Sequence, residues 1–163
     1  MGGLGPEELA LCFDAHAPGL RLYARQFCGD GDAEDVVQEA FVGLARARVA
    51  PSHVAGWLYR VVRNAALDAA RGRRRRDRRE NQAARREAWF DAADDRLDAL
   101  EATAHLAGLP AELRSVVVAR LWGNLTFDEI ARAEDCSVAA AHRRYRAGLA
   151  RLAERLGEPC RTN

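Results

Sequence analysis

Aromatic residues are scarce in this 163-residue chain, at 7%, and lysine is absent, since all 25 basic residues are arginine. With few aromatics, short valine clusters and abundant Ala and Leu, the composition leans towards helices packed on helices. No apolar run approaches the roughly 18 residues that a membrane span needs, and the opening Met1-Gly2-Gly3-Leu4-Gly5-Pro6 lacks the basic-then-apolar order of a secretory leader. The expected location is the cytoplasm. Cys12, Cys28, Cys136 and Cys160 stand far apart, with no Cys-x-x-Cys pair and no histidine at finger spacing, which argues against zinc and gives no support to a structural disulfide. Cys12 and Cys28 have apolar neighbours and are expected as small core residues. A Gly-rich phosphate loop, a Ser/His/Asp arrangement and a His-rich ligand set are all missing, so no catalytic residue, metal or cofactor is expected, and an enzyme is the least favoured class.

What is present is a 48% hydrophobic chain, enough for one ordinary domain or two small helical ones around a real core. The net charge of +1 conceals a strong asymmetry. Nine arginines fall between Arg71 and Arg86 against Asp77 and Glu80, so that segment carries +7 and the remainder sums to −6. A block of this kind suits a polyanionic partner, or else a solvated helix end.

Helical periodicity places a first helix over 7–28 with a break at Pro18-Gly19, a second from Asp32 to about Arg48, and a third from Val54 into the arginine block. The pattern dissolves over 73–95, where only Trp89 and Phe90 offer apolar anchorage, and this stretch is expected as a linker. Periodicity resumes at Leu97, Leu100, Ala104 and Leu106. Pro110 is expected at a first helical position, with Gly123-Asn124 closing that helix. The resulting fold class is all-α. Two small helical domains, 1–75 and 97–157, are joined by a linker over 76–96 and followed by a tail over 158–163, with a helix-turn-helix in the second.

That helix-turn-helix is the most informative local feature. Thr126-Phe127-Asp128-Glu129 has the form of a capping box, which fixes a helix start. About ten residues later, past Glu134-Asp135-Cys136, Ser137 can cap a second helix with Val138, Ala141, Tyr145, Leu149 and Leu152 on its apolar side. Its other side presents Ala139, Ala140 and Arg143, flanked by His142, Arg144 and Arg146. Small residues allow close approach to a groove, Arg143 can reach a guanine in bidentate fashion, Ala140 can touch a thymine methyl, and flanking arginines suit phosphates. Thr126 and Ser137, at the two helix starts, complete the candidate set.

The third helix divides similarly. Trp57, Leu58, Val61, Val62, Ala65 and Ala69 form an apolar stripe, while Arg60, Arg63, Asn64, Arg71 and Arg74 gather opposite, with Tyr59 at the edge. An aromatic beside a basic track suits an unstacked base. On the second helix, Val36, Val37, Ala40, Phe41 and Leu44 are expected inside, leaving Asp35, Gln38, Glu39, Val42 and Arg46 together outside. Metal binding by Asp32, Glu34, Asp35 and Glu39 is the weaker reading of these carboxylates.

In three stretches the chain resembles the extracytoplasmic-function group of bacterial RNA polymerase sigma factors. Residues Asp32-Ala33-Glu34-Asp35-Val36-Val37-Gln38-Glu39-Ala40-Phe41 look like that family's polymerase-binding helix. Trp57-Leu58-Tyr59-Arg60-Val61-Val62-Arg63-Asn64-Ala65-Ala66-Leu67-Asp68, followed by arginines, is similar to the helix and loop that melt and read the minus-10 element. Residues 109–152 look like the domain that reads the minus-35 element. The resemblance implies a transcription initiation factor that docks on core RNA polymerase through Asp35, Gln38 and Glu39 and binds promoter DNA with both domains. It further implies an anti-sigma protein as a partner, since control is expected from outside a chain that stops soon after its second domain. The recognition segment Ala139-Ala140-Ala141-His142-Arg143-Arg144 departs from the Thr-Val and Ser-Arg of many relatives, and the linker is richer in arginine. The alternative is a free-standing helix-turn-helix regulator that never engages polymerase; such proteins usually bind as dimers on paired half-sites.

Overall fold

The computed structural model describes residues 3–80 and 105–156 and is helical throughout its regular elements. Helix α1 spans Pro6–Ala24, α2 Asp30–Arg46 and α3 Val54–Glu80. After a helical turn at 105–107 come α4 at Ala111–Leu121, α5 at Phe127–Ala133 and α6 at Val138–Leu156.

The expected break at Pro18 does not occur, and α1 runs straight through it. Proline removes one amide donor from a helix, yet Pro18 and Asp14, whose carbonyl loses its partner, are both exposed, so water can take up that acceptor. Ala17, Gly19 and Leu20 meanwhile are buried and hold both halves against the core. Helix α2 ends slightly before the expected boundary, at Arg46, and buries Val36, Val37, Ala40, Phe41 and Leu44 as its periodicity requires.

Helix α3 continues to Glu80, so the linker expected from 76 begins within a helix. Arg73 helps to explain this extension, because its Nη2 and Nε donate to Asp32 Oδ2 at 2.7 and 3.1 Å and tie the arginine block back to the start of α2. The remainder of that linker, with Trp89 and Phe90, and the tail over 158–163 lie outside the described residues.

Pro110 is the N-cap of α4 rather than its first helical residue, with an extended ψ of 143°. Asn124 and Asp135 adopt positive φ, 49° and 53°, where each chain reverses after a helix. Short polar side chains tolerate that left-handed region best after glycine. Gly148 is required by packing, since a Cβ there would meet Val117 Cγ2 at 2.6 Å, where α6 crosses α4.

Two helical subdomains result, α1–α3 and α4–α6, each with its own apolar centre. Leu20, Val37, Leu44, Leu58 and Val62 fill the first; Val116, Val117, Leu125, Ile130 and Ala141 fill the second. Burying each large aliphatic side chain fully contributes about 1.5–3 kcal/mol. The two centres are continuous with each other, because α3 packs against α5 and α1 against α4.

Candidate nucleic-acid and polymerase interfaces

The outward face of α2 carries Asp35, Gln38, Glu39, Val42 and Arg46, all exposed. Val42 is notable as a 44% exposed aliphatic residue among polar ones. Asp35 and Glu39 line a groove between α2 and α3 together with Asp32 and Asp68. Asp68, which helical periodicity alone did not single out, adds negative charge to this groove from the opposite wall. The neighbouring Glu34 is turned aside: Arg21 pairs with it at 2.5 Å and Gln38 Nε2 donates to it at 3.3 Å. The hydrogen bond from Arg21 is the main reason its carboxyl is held below the ordinary glutamate range. Among the described residues no group of three or more His, Cys, Asp or Glu side chains is arranged to hold a metal ion.

On α3, Arg60, Asn64, Arg71 and Arg74 are exposed along one side. Tyr59 and Arg63 are not where periodicity put them. Tyr59, expected at the edge of the basic track, is fully buried, because α5 and the turn after α4 cover the side of α3 on which it lies. Its hydroxyl end fits between two glycines, one from each subdomain. A Cβ on Gly19 would stand 2.8 Å from the Tyr59 hydroxyl, and one on Gly123 2.6 Å from Tyr59 Cζ. That hydroxyl has no hydrogen-bond partner among the described residues, and burial pushes its pKa well up. Arg63 is four-fifths covered and pairs with Glu134 at 3.6 Å, with its guanidinium 5.8 Å from the Phe27 ring.

Glu134, at the end of α5, is buried and also accepts a 2.6 Å hydrogen bond from the Tyr23 hydroxyl. Nearby, Glu129 lies against Gly56, and His53 Nδ1 approaches Glu129 Oε1 at 3.8 Å. A cleft of about 240 Å³ runs along this seam, lined by His53, Trp57, Arg60, Glu129 and Arg132. Glu134, Tyr23 and Gly19 had no signal in the sequence, since only the meeting of the subdomains gives them a role.

The helix-turn-helix forms as the capping pattern requires. Glu129 N donates to Thr126 Oγ1 at 3.3 Å, and Thr126 N donates to Glu129 Oε2 at 2.8 Å. Partial burial would raise the Glu129 carboxyl, but the bonds from the Thr126 amide and hydroxyl bring it below its ordinary value. After the turn at Asp135, Ser137 Oγ accepts from Ala140 N at 3.1 Å and starts α6. Phe127 seats α6 on α5 through edge contacts to His142 at 4.8 Å and Tyr145 at 5.5 Å. Arg120 stacks over the same ring at 5.2 Å.

Ala139, His142, Arg143 and Arg146 are exposed on α6, Ala140 and Arg144 are half-buried, and Thr126 and Ser137 are exposed at the helix starts. Arg144 leans towards Glu112 of α4 at 3.7 Å. Val138, expected on the apolar side, is 43% exposed, because it occupies the first turn, before α6 reaches its neighbours. No helix among the described residues is long and apolar enough to cross a membrane.

Comparison with known proteins agrees with this arrangement. Residues 12–76 match the model of Sigma-70 region 2, and residues 100–152 match that of Sigma-70, region 4. No curated protein matches. Among solved structures, CnrH in complex with the cytosolic domain of CnrY is similar with a TM-score of 0.60 at 24% identity, covering 94% of this chain and 90% of that one. The sigma factor RpoE in complex with the anti-sigma factor NepR from Bartonella quintana is similar with a TM-score of 0.69 at 20% identity, covering 93% and 98%. These two likenesses show the fold. With region 2 carried by α1–α3 and region 4 by α4–α6, in that order and over well more than half of its length, the chain belongs to the sigma-70 family of transcription initiation factors and is of the extracytoplasmic-function type.

Proposed function

We propose that this chain binds core RNA polymerase through Asp35, Gln38, Glu39, Val42 and Arg46, and directs it to promoters by reading two DNA elements. The first unit, 1–75, takes the minus-10 element through Tyr59, Arg60, Arg63, Asn64, Arg71 and Arg74. The second, 97–157, takes the minus-35 element through α6, with Arg143 and Ala140 at base edges and Arg144 and Arg146 near phosphates, supported by Thr126, Ser137, Ala139 and His142. The segment after α3 connects the two, and no chemical reaction is catalysed. An anti-sigma protein is proposed as a further partner, by analogy with the two solved complexes.

The observation that carries this reading is the α2 face. A free-standing helix-turn-helix regulator has no use for an exposed row of Asp35, Gln38 and Glu39 beside Val42, on the subdomain remote from the recognition helix. Reconstitution tests it: the protein should co-elute with bacterial core polymerase and direct transcripts with defined starts from its own genomic DNA. Binding to DNA without binding to core would overturn the reading in favour of the regulator.

A further inference from the structure

The start of α6 carries an apolar side chain that the assignments above leave without a role. Helical spacing sets Val138 on the buried side with Ala141 and Tyr145, yet Val138 is 43% exposed while Ala141 is fully buried. The turn explains the difference. Helix α5 ends at Ala133, the chain reverses at Asp135 with φ of 53°, and the Phe127 ring meets α6 only at His142 and Tyr145, one and two turns beyond Val138. Val138 therefore lies short of that seat. It lines an open hollow of about 570 Å³ together with Asp128, Ala131, Arg132, Asp135 and Cys136.

A single exposed aliphatic side chain is ordinary by itself. Its neighbours give this one a direction. Ser137 Oγ is committed to Ala140 N at 3.1 Å, and Ala139 and Ala140 end at Cβ. Of the four residues that open α6, Val138 alone extends an uncommitted side chain beyond Cβ. The opening residues of a recognition helix are the ones that meet base edges. An isopropyl group has no donor or acceptor to offer them, and the apolar feature of the major-groove edge is the 5-methyl group of thymine. The hollow does not favour a phosphate oxygen instead, because its lining sets one guanidinium, on Arg132, against the carboxylates of Asp128 and Asp135.

We infer that Val138 is a further specificity-determining residue, which makes apolar contact with the methyl group of a thymine in the upstream element. Arg143 lies five residues on, about 7.5 Å along the helix axis, so the thymine stands about two base-pair steps from the guanine assigned to Arg143. This inference rests on the functional reading above, which lays α6 in the major groove of the minus-35 element.

Sequence selection tests it in the complex that does the reading. The full chain bound to bacterial core polymerase is offered a pool of random-sequence duplexes, in parallel with Val138→Ala. The parent complex should enrich an upstream element holding both the guanine and a thymine about two positions away. Val138→Ala should keep the guanine and lose the preference for thymine. On the duplex that the parent selects, replacing this thymine with deoxyuridine removes one methyl group and should weaken parental binding about fourfold, the loss expected for one buried methyl. Val138→Ala should bind the two duplexes equally. Alanine is the better helix former at an exposed position, so the variant should also match the parent's circular-dichroism spectrum. An unchanged thymine preference in Val138→Ala, or a deoxyuridine penalty as large in the variant as in the parent, would overturn the contact and leave the functional reading standing. A parent complex that enriches no upstream element would sink that reading, and the contact with it.

Discussion

The Tyr23 hydroxyl donates to Glu134 Oε1 at 2.6 Å across 111 positions of sequence, and it does so in a buried site between the two subdomains. A hydrogen bond to a carboxyl in such a place is worth more than its surface equivalent, because neither partner can turn to water. Glu134→Ala should therefore lower unfolding stability by about 1.5–3 kcal/mol and Tyr23→Phe by about 1 kcal/mol. In a urea-melt double-mutant cycle the pair should couple by about 0.5 kcal/mol or more. Additive losses would mean that the bond contributes nothing of its own.

Two carboxylates give the fold a dependence on acid. Glu34 is held below the ordinary value of 4.5 chiefly by its hydrogen bond from Arg21. For Glu129, burial pushes upward, but the Thr126 amide and hydroxyl outweigh it and the carboxyl is also lowered. A pKa depressed in the folded state gives stability that is present above the unfolded value and is lost as pH falls through the folded one. Thermal melts of Glu34→Gln and Glu129→Gln should show reduced stability at neutral pH and a shallower further decline between about pH 5 and pH 3 than the parent chain. A steeper decline in the variants would contradict the assignment.

Charge reversal at Asp35 and Glu39 should abolish co-elution with core polymerase. Both side chains are exposed and neither anchors the core, so the helical circular-dichroism spectrum and melting temperature should stay within the small range typical of surface substitutions. Loss of binding together with loss of helicity would remove the support for a docking face.

Arg143 and Arg146 lie on the exposed side of α6 but are expected to differ in what they contact. Arg143→Ala should cost about 1–3 kcal/mol of discrimination at one upstream base pair, whereas Arg146→Ala should weaken all sequences alike and reduce the salt slope by about one. Titrations on matched and mismatched duplexes at several salt concentrations separate the two, and equal losses on both duplexes for Arg143 would end its reading role.

Helix identity, the capping box at Thr126, the turn before Ser137 and the buried side of α2 were all legible in the chain, because each depends on residues within one or two turns of one another. The sequence by itself thus determined an all-α fold, two subdomains in the order of the sigma-70 regions, and the exposed row on α2. Tertiary structure decided what local spacing cannot express. Pro18 stays helical because packing on both sides outweighs one missing amide donor, and Arg73 extends α3 because Asp32 lies 41 positions away in the chain but within 2.7 Å in space. Tyr59 and Arg63 illustrate the same limit for function: helical periodicity assigns each residue to a face, but only the docking of the second subdomain, through the turn after α4 at Tyr59 and the end of α5 at Arg63, determines that this face is covered.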